Sequence, residues 1–194
     1  MAPTILFIMD FQTPIREHAA DVGWFDEAAK NAAVLLSAAR ALGPEKVKII
    51  HAIAASGVDK TNTSLYSVSG ESAIGKRFQA FPATLSDPKI VELVAPLPGE
   101  QILSRPRVSP FHYTDLNAQL RALGATKLVL CGVATSGIVL ATFRSGVDAD
   151  YDVVVVGEAC ADVDRVLHDS LVNQCFARLG RVVTVEKARQ ELSG

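Results

Sequence analysis

Short runs of apolar, largely β-branched residues punctuate the chain at Thr4–Met9, Val47–Ala52, Lys127–Cys131, Asp152–Val156 and Arg181–Val185. Each run is mainly apolar without a strict apolar–polar alternation, the pattern of strands buried on both faces of a parallel sheet. The stretches between them read as helices. Asp26–Leu42 spaces Ala29, Ala33, Leu36, Ala39 and Ala41 at helical intervals and stops at Gly43-Pro44, a helix C-terminal signal. Tyr113–Leu123 opens with Thr114 as a candidate cap and closes at Gly124. Asp164–Leu179 sets Val166, Leu167, Leu171, Val172, Cys175, Phe176 and Leu179 on one helical face, the stripe expected of a helix covering a sheet. A sixth short strand is expected at Gln101–Ser104. Between the second strand and that one, Gly57–Lys89 is rich in Ser, Gly, Thr and Lys, with Phe78, Phe81 and Pro82 as apolar anchors. A segment of this length without periodicity is usually functional or mobile.

This order predicts a single α/β domain over residues 1–194: a three-layer, doubly wound fold with a six-stranded, mainly parallel sheet, its first strand central and beside Lys127–Cys131. In such sheets ligands bind beyond the carboxyl ends of the strands, where the winding reverses. Asp10, Arg105 and Ile138 all fall just after strands. An aspartate ending an apolar strand reads either as a capping or ion-paired residue or as a functional carboxylate in a cleft.

Composition narrows the partners. With 49% hydrophobic residues, 21% charged and a net charge of -2, the chain is expected to be globular and to have no attraction for nucleic acid. Its longest apolar runs fall far short of the ~20 residues that span a bilayer, and no basic, apolar leader precedes Asp10, so a cytoplasmic protein is expected. The cysteines, Cys131, Cys160 and Cys175, are odd in number and lack metal-type spacing, which points to reduced thiols.

Three motifs carry a resemblance. The apolar strand before Gly132-Val133-Ala134-Thr135, followed by Ser136, Gly137 and Ile138, resembles the nucleophile region of the isochorismatase-like hydrolases, also called the cysteine hydrolase family. ILFIMDFQ resembles that family's first strand with its catalytic aspartate, here Asp10, and Gln12 after it. SRPRVSPFHYTDL, aligned on Ser109, Phe111, Thr114, Asp115 and Leu116, places Arg105 where the family has a catalytic lysine. Ile138 stands where the family has its cysteine. Of the Asp, Lys and Cys triad, the aspartate remains.

The resemblance implies Asp10 and Arg105 as the catalytic pair, with Gln12, Val133, Ala134, Thr135, Gly137 and Ile138 lining the substrate. It also implies a cis peptide before Ala134, an oxyanion-type turn at residues 132–134 and a homo-oligomer. An isoleucine has no lone pair, so Ile138 is a pocket or core residue and not a nucleophile. Ser136 is expected to cap the helix that follows. Cys131 and Cys175 are expected in the core, and Cys160 just after a strand near the sheet edge. Metal-dependent relatives carry Asp-x-His-x-His after the second strand; here HAIAASGVD has His51 alone, so neither a metal nor a cofactor is expected. The remaining histidines, His18, His112 and His168, read as surface or core residues. Paired with a permanently charged guanidinium, Asp10 is expected to titrate low. The function so implied is hydrolysis of a small molecule without a cysteine nucleophile, at a vinyl ether or a C–N bond. The alternative is a catalytically silent member that binds a small molecule as a regulatory or scaffold protein.

Overall fold

A computed structural model of the chain describes residues 2–19, 21–54, 73 and 89–193. The strands are β1 (Thr4–Met9), β2 (Val47–Ala54), β3 (Gln101–Arg105), β4 (Lys127–Val133), β5 (Asp152–Ala161) and β6 (Arg181–Val183). They form one sheet in the order β3-β2-β1-β4-β5-β6, with every pairing parallel. The winding reverses between β1 and β4, which lie side by side with Met9 opposite Gly132. The expected sheet and its central pair are therefore observed.

Helices cover both faces. On one lie α2 (Gly23–Leu42) and α6 (Val185–Ser193), packed on Leu6, Ile8, Val129 and Val154. On the other lie α3 (Leu116–Ala122) and α4 (Leu140–Asp148), packed on Ile5, Phe7, Leu130 and Val153. β1, the body of β4 and Val153–Val156 of β5 are apolar without alternation because successive side chains enter two different cores. Two further α-helices are short, α1 (Thr13–Glu17) and α5 (Arg165–Ser170), and a 3-10 turn covers Glu92–Val94. Helix α2 starts three residues before its expected position and buries Phe25, Ala28, Ala29, Ala32, Leu35, Leu36 and Ala39, while Ala41 faces solvent. It ends at Gly43, whose φ of 83° is open to glycine without strain.

Three expectations are corrected. The predicted helix over Asp164–Leu179 is α-helical only to Ser170, then passes through a π turn (Leu171–Cys175) and a 3-10 turn (Phe176–Arg178). The changed pitch rotates the buried face away from the 3.6-residue stripe. Phe176 and His168 are buried, whereas Val166, Leu167 and Leu179 are exposed at 77%, 41% and 53%. The fifth strand runs on to Ala161 through a register shift between Leu130 and Gly132, so Cys160 lies inside the sheet opposite Gly132 rather than after the strand. The helix expected from Tyr113 begins at Leu116 with Asp115 at its N-cap; the Thr114 hydroxyl accepts from the Leu116 amide and donates to the Pro110 carbonyl. Of the Gly57–Lys89 segment, the anchors Phe78, Phe81 and Pro82 lie outside the described residues.

One charged cluster ties α2 to the β2–β3 edge. Glu100, just before β3, receives Arg40 Nε at 2.7 Å and Nη2 at 2.9 Å, His51 Nε2 at 2.9 Å and the Leu97 amide at 3.0 Å. Burial alone would push the Glu100 carboxyl up, but the bonds from Arg40, Leu97 and His51 outweigh it and hold the group at about 2. A carboxyl depressed from 4.5 stabilises the fold above that pH, and its contribution is lost as pH falls toward 2. Glu100→Gln is therefore expected to lower the unfolding free energy by about 3 kcal/mol at pH 7. In urea titrations the gap to wild type should narrow steadily below pH 4.5; a gap independent of pH would contradict this account.

Candidate functional site

The site is assembled where β1, β3 and β4 end. The β1 backbone turns out of the sheet at Asp10, which adopts φ 57°, a left-handed conformation that aspartate tolerates better than most residues. Its amide still donates to the Ala52 carbonyl at 2.9 Å, so the turn is anchored to β2. Beside it Gly132 faces Met9 so closely that a Cβ there would lie 2.7 Å from Met9 Cβ and 2.8 Å from the Met9 carbonyl oxygen. Any side chain at Gly132 would push β4 off β1 and separate the two strand ends.

Arg105 shares a face of β3 with Leu103, and the β2 residue level with it is Ala54. The guanidinium can therefore cross β2 over a methyl group to reach Asp10. Arg105 Nη2 donates to Asp10 Oδ2, and Nη1 donates to the Arg107 carbonyl at 2.6 Å. Both side chains of the pair are buried. Asp10 Oδ1 and Arg105 Nε are buried without a partner among the described residues. The ion pair expected from the sequence is present, but its effect on Asp10 is the reverse of the expected one. Burial pushes the Asp10 carboxyl up, and the charge and hydrogen bond of Arg105 only partly pull it back.

The turn after β4 contains the expected cis peptide, between Val133 and Ala134. Ala134 is the N-cap of a single π turn (Thr135–Val139) that leads into α4, with Gly137 at φ −99°, ψ −108°. Ile138 is 1% exposed and packs in the core beneath α4. It is a core residue, as its chemistry required. Ser136 does not cap the helix through its hydroxyl; instead its amide donates to Asp162 Oδ2 at 2.8 Å. Thr135 Oγ1 is 2.8 Å from His168 Nδ1, with both residues buried. The turn is thus held from behind by Asp162 and His168.

Gln12 is wholly buried and spends its amide on β2: Oε1 accepts from the Ala54 amide at 2.8 Å and Nε2 donates to the Ala54 carbonyl at 3.4 Å. It braces the end of β2 rather than presenting a free group. Neither sheet cysteine suits nucleophilic chemistry. Cys131 is fully buried with its thiol pushed well up by burial, and burial pushes Cys160 up to about 12. Cys175 is half-buried in the π turn that follows α5. Among the described residues no group of three metal-ligating side chains converges.

Asp162 and His168 were not singled out by the sequence. Asp162 carried the same signal as Asp10, a carboxylate closing a long apolar strand, whereas His168 carried none because its partner Thr135 lies 33 residues away.

The isochorismatase domain matches this sequence over residues 4–187. The chain belongs to the isochorismatase family. Among curated relatives, phenazine biosynthesis protein PhzD1 of Pseudomonas aeruginosa is 35% identical over 117 residues, 58% of this chain and 53% of that protein. Ureidoacrylate amidohydrolase RutB of Methylobacterium radiotolerans is 38% identical over 73 residues, 38% of this chain and 28% of that protein. The matches thus span about half the length of these relatives or less. Among solved structures, an isochorismatase family protein from Burkholderia thailandensis superposes with a TM-score of 0.81 at 23% identity, covering 100% of this chain and 97% of that one. A cysteine hydrolase from Pseudomonas syringae pv. phaseolicola gives 0.81 at 20% identity, covering 99% and 93%. At these identities the likeness is one of fold, and it matches the single parallel sheet described above.

Removing one member of a buried ion pair strands the other charge, at a typical cost of ~3–5 kcal/mol. Asp10→Asn is expected to lose stability on that scale in urea denaturation at alkaline pH, where Asp10 is ionised, and to lose less as pH falls and the carboxyl takes up its proton. A loss below about 1 kcal/mol, the usual worth of an exposed pair, would show that Arg105 finds water in the variant.

Proposed function

We propose that this family member hydrolyses a small vinyl-ether carboxylate of the isochorismate kind, with Asp10 as general acid and no covalent thiol intermediate. The observation that carries the reading is the division of the Asp10 carboxyl. Oδ2 is engaged by Arg105, while Oδ1 is buried and has no hydrogen-bond partner among the described residues. Burial favours the protonated form, so Oδ1 can hold a proton and deliver it. Given to the terminal vinyl carbon, that proton leaves an oxocarbenium at the ether carbon. Water adds there, and the resulting hemiketal collapses to a keto acid and a free alcohol. The spare proton returns to the Asp10 carboxylate, and no bond to the protein forms at any stage. In this reading Arg105 Nε, which also lacks a partner among the described residues, donates to a substrate carboxylate and keeps its charge throughout.

A second reading, a member that binds without turnover, is favoured by Ile138 being packed in the core and by Gln12 and Thr135 being satisfied within the protein. Pyruvate release from isochorismate separates the two. Turnover by the wild type is expected, reduced about 10²-fold or more in Asp10→Asn as for loss of a general acid, and declining as pH rises because the acid form is consumed. Saturable binding of isochorismate with no pyruvate released would instead establish the silent reading.

Iodoacetamide provides a separate check on the chemistry. With its cysteines in or near the core and none at residue 138, the enzyme should keep its activity through prolonged treatment. Rapid stoichiometric inactivation, prevented by substrate, would show that a thiol takes part.

A further inference from the structure

Behind the turn of residues 134–138, on the side away from the Asp10–Arg105 pair, a cleft of about 1010 Å³ opens between the start of α2, the end of β5 and α5. Its size suits a small-molecule ligand. Neither Asp10 nor Arg105 lines it.

The lining has a strong charge bias. Asp21, Glu27, Glu158, Asp162 and Asp169 contribute five carboxyl groups, against the single guanidinium of Arg165. Arg165 is already paired with Asp169 at 3.1 Å. Three of the other carboxyls use one or both oxygens on backbone amides: Asp21 on Gly23, Glu158 on Val185, and Asp162 on Ser136 and Asp164. These bonds fix their positions without neutralising their charge. Glu27 has no partner among the described residues and stands exposed one helical turn from Trp24, which also lines the cleft. A carboxylate-rimmed recess with an indole wall is suited to an organic cation, through both Coulomb attraction and the face of the ring.

An independent feature points into the same space. His168 is 6% exposed, lines the cleft, and binds Thr135 Oγ1 through Nδ1. Nε2, on the opposite side of the ring, has no hydrogen bond to the described residues, and His168 is among the residues that line the cleft. With Nδ1–H donating to Thr135, the Nε2 lone pair is an acceptor for an ammonium N–H.

We propose that this cleft binds a small organic cation with an aromatic or apolar body, and that its occupancy reaches the turn at residues 134–138 through His168 and Thr135. The inference concerns binding and is independent of whether the Asp10 site turns over.

Trp24 is the only tryptophan in the chain, so intrinsic fluorescence reports on the cleft directly. The probe is benzylamine, charged at pH 7, with benzoate as the anion of similar shape. Benzylamine should give a saturable, 1:1 change in emission with a Kd at least about tenfold below that of benzoate. Glu27→Gln, on the exposed face of α2, should raise that Kd by about threefold, as for loss of one exposed charge. His168→Gln should raise it as well, and amide exchange at residues 134–138 should slow when wild type is saturated. Indistinguishable responses to amine and acid would overturn the proposal. So would emission that follows protein concentration without responding to amine, the sign of a second copy filling the cleft. Binding that leaves exchange at 134–138 unchanged would remove the link to the turn.

Discussion

The closeness of β1 and β4 at Met9 and Gly132 is the constraint on which the site depends. With no side chain at Gly132, the two central strands come together at the point where the sheet reverses its winding, so their ends emerge side by side. Asp10 follows directly on one, and the cis Val133–Ala134 turn on the other. Brought to the same level by parallel pairing, the end of β3 supplies Arg105 from two strands away. A sheet that spread at this point would leave the carboxylate, the guanidinium and the turn as three unrelated surface features.

The electrostatics follow from that geometry. A carboxylate and a guanidinium in water would leave Asp10 ionised, and the same pair on a dry strand end need not, because burial penalises the charged carboxyl more than Arg105 rewards it. The Glu100 cluster makes the contrast. There a carboxyl receives four hydrogen bonds from Arg40, His51 and the Leu97 amide, and burial is outweighed. At Asp10, Arg105 and the Ala54 backbone do not outweigh burial, and Oδ1 has no hydrogen-bond partner among the described residues. Donor number, more than the presence of a cation, separates the carboxyl held low at Glu100 from the one pushed up at Asp10.

The turn at 134–138 has two sides with different chemistry. Its front carries the backbone that follows β4 next to Asp10, with Ile138 turned into the core; its back is bonded to Asp162 and His168. Asp162 directly follows β5 and His168 lies in α5, the two elements that also border the acidic cleft. A ligand in the cleft and a substrate at Asp10 would therefore press on opposite sides of five residues.

What the sequence determined by itself was whatever depends on local pattern. Apolar runs with no alternation could only be strands covered on both faces, and Gly43 ended α2 because a positive φ suits glycine. The motifs at Asp10, Arg105 and residues 132–138 could be aligned because each is contiguous. Where the pattern was read at a fixed 3.6-residue period, as over Asp164–Leu179, it failed, since a π turn shifts the buried face without leaving a mark in composition. Tertiary structure alone decided the rest. It joined Thr135 to His168 and Gln12 to Ala54, placed Cys160 inside the sheet, and reversed the expected titration of Asp10. These outcomes turn on how many donors and how much apolar surface gather around a group from strands far apart in the chain, quantities that exist only once the sheet has closed.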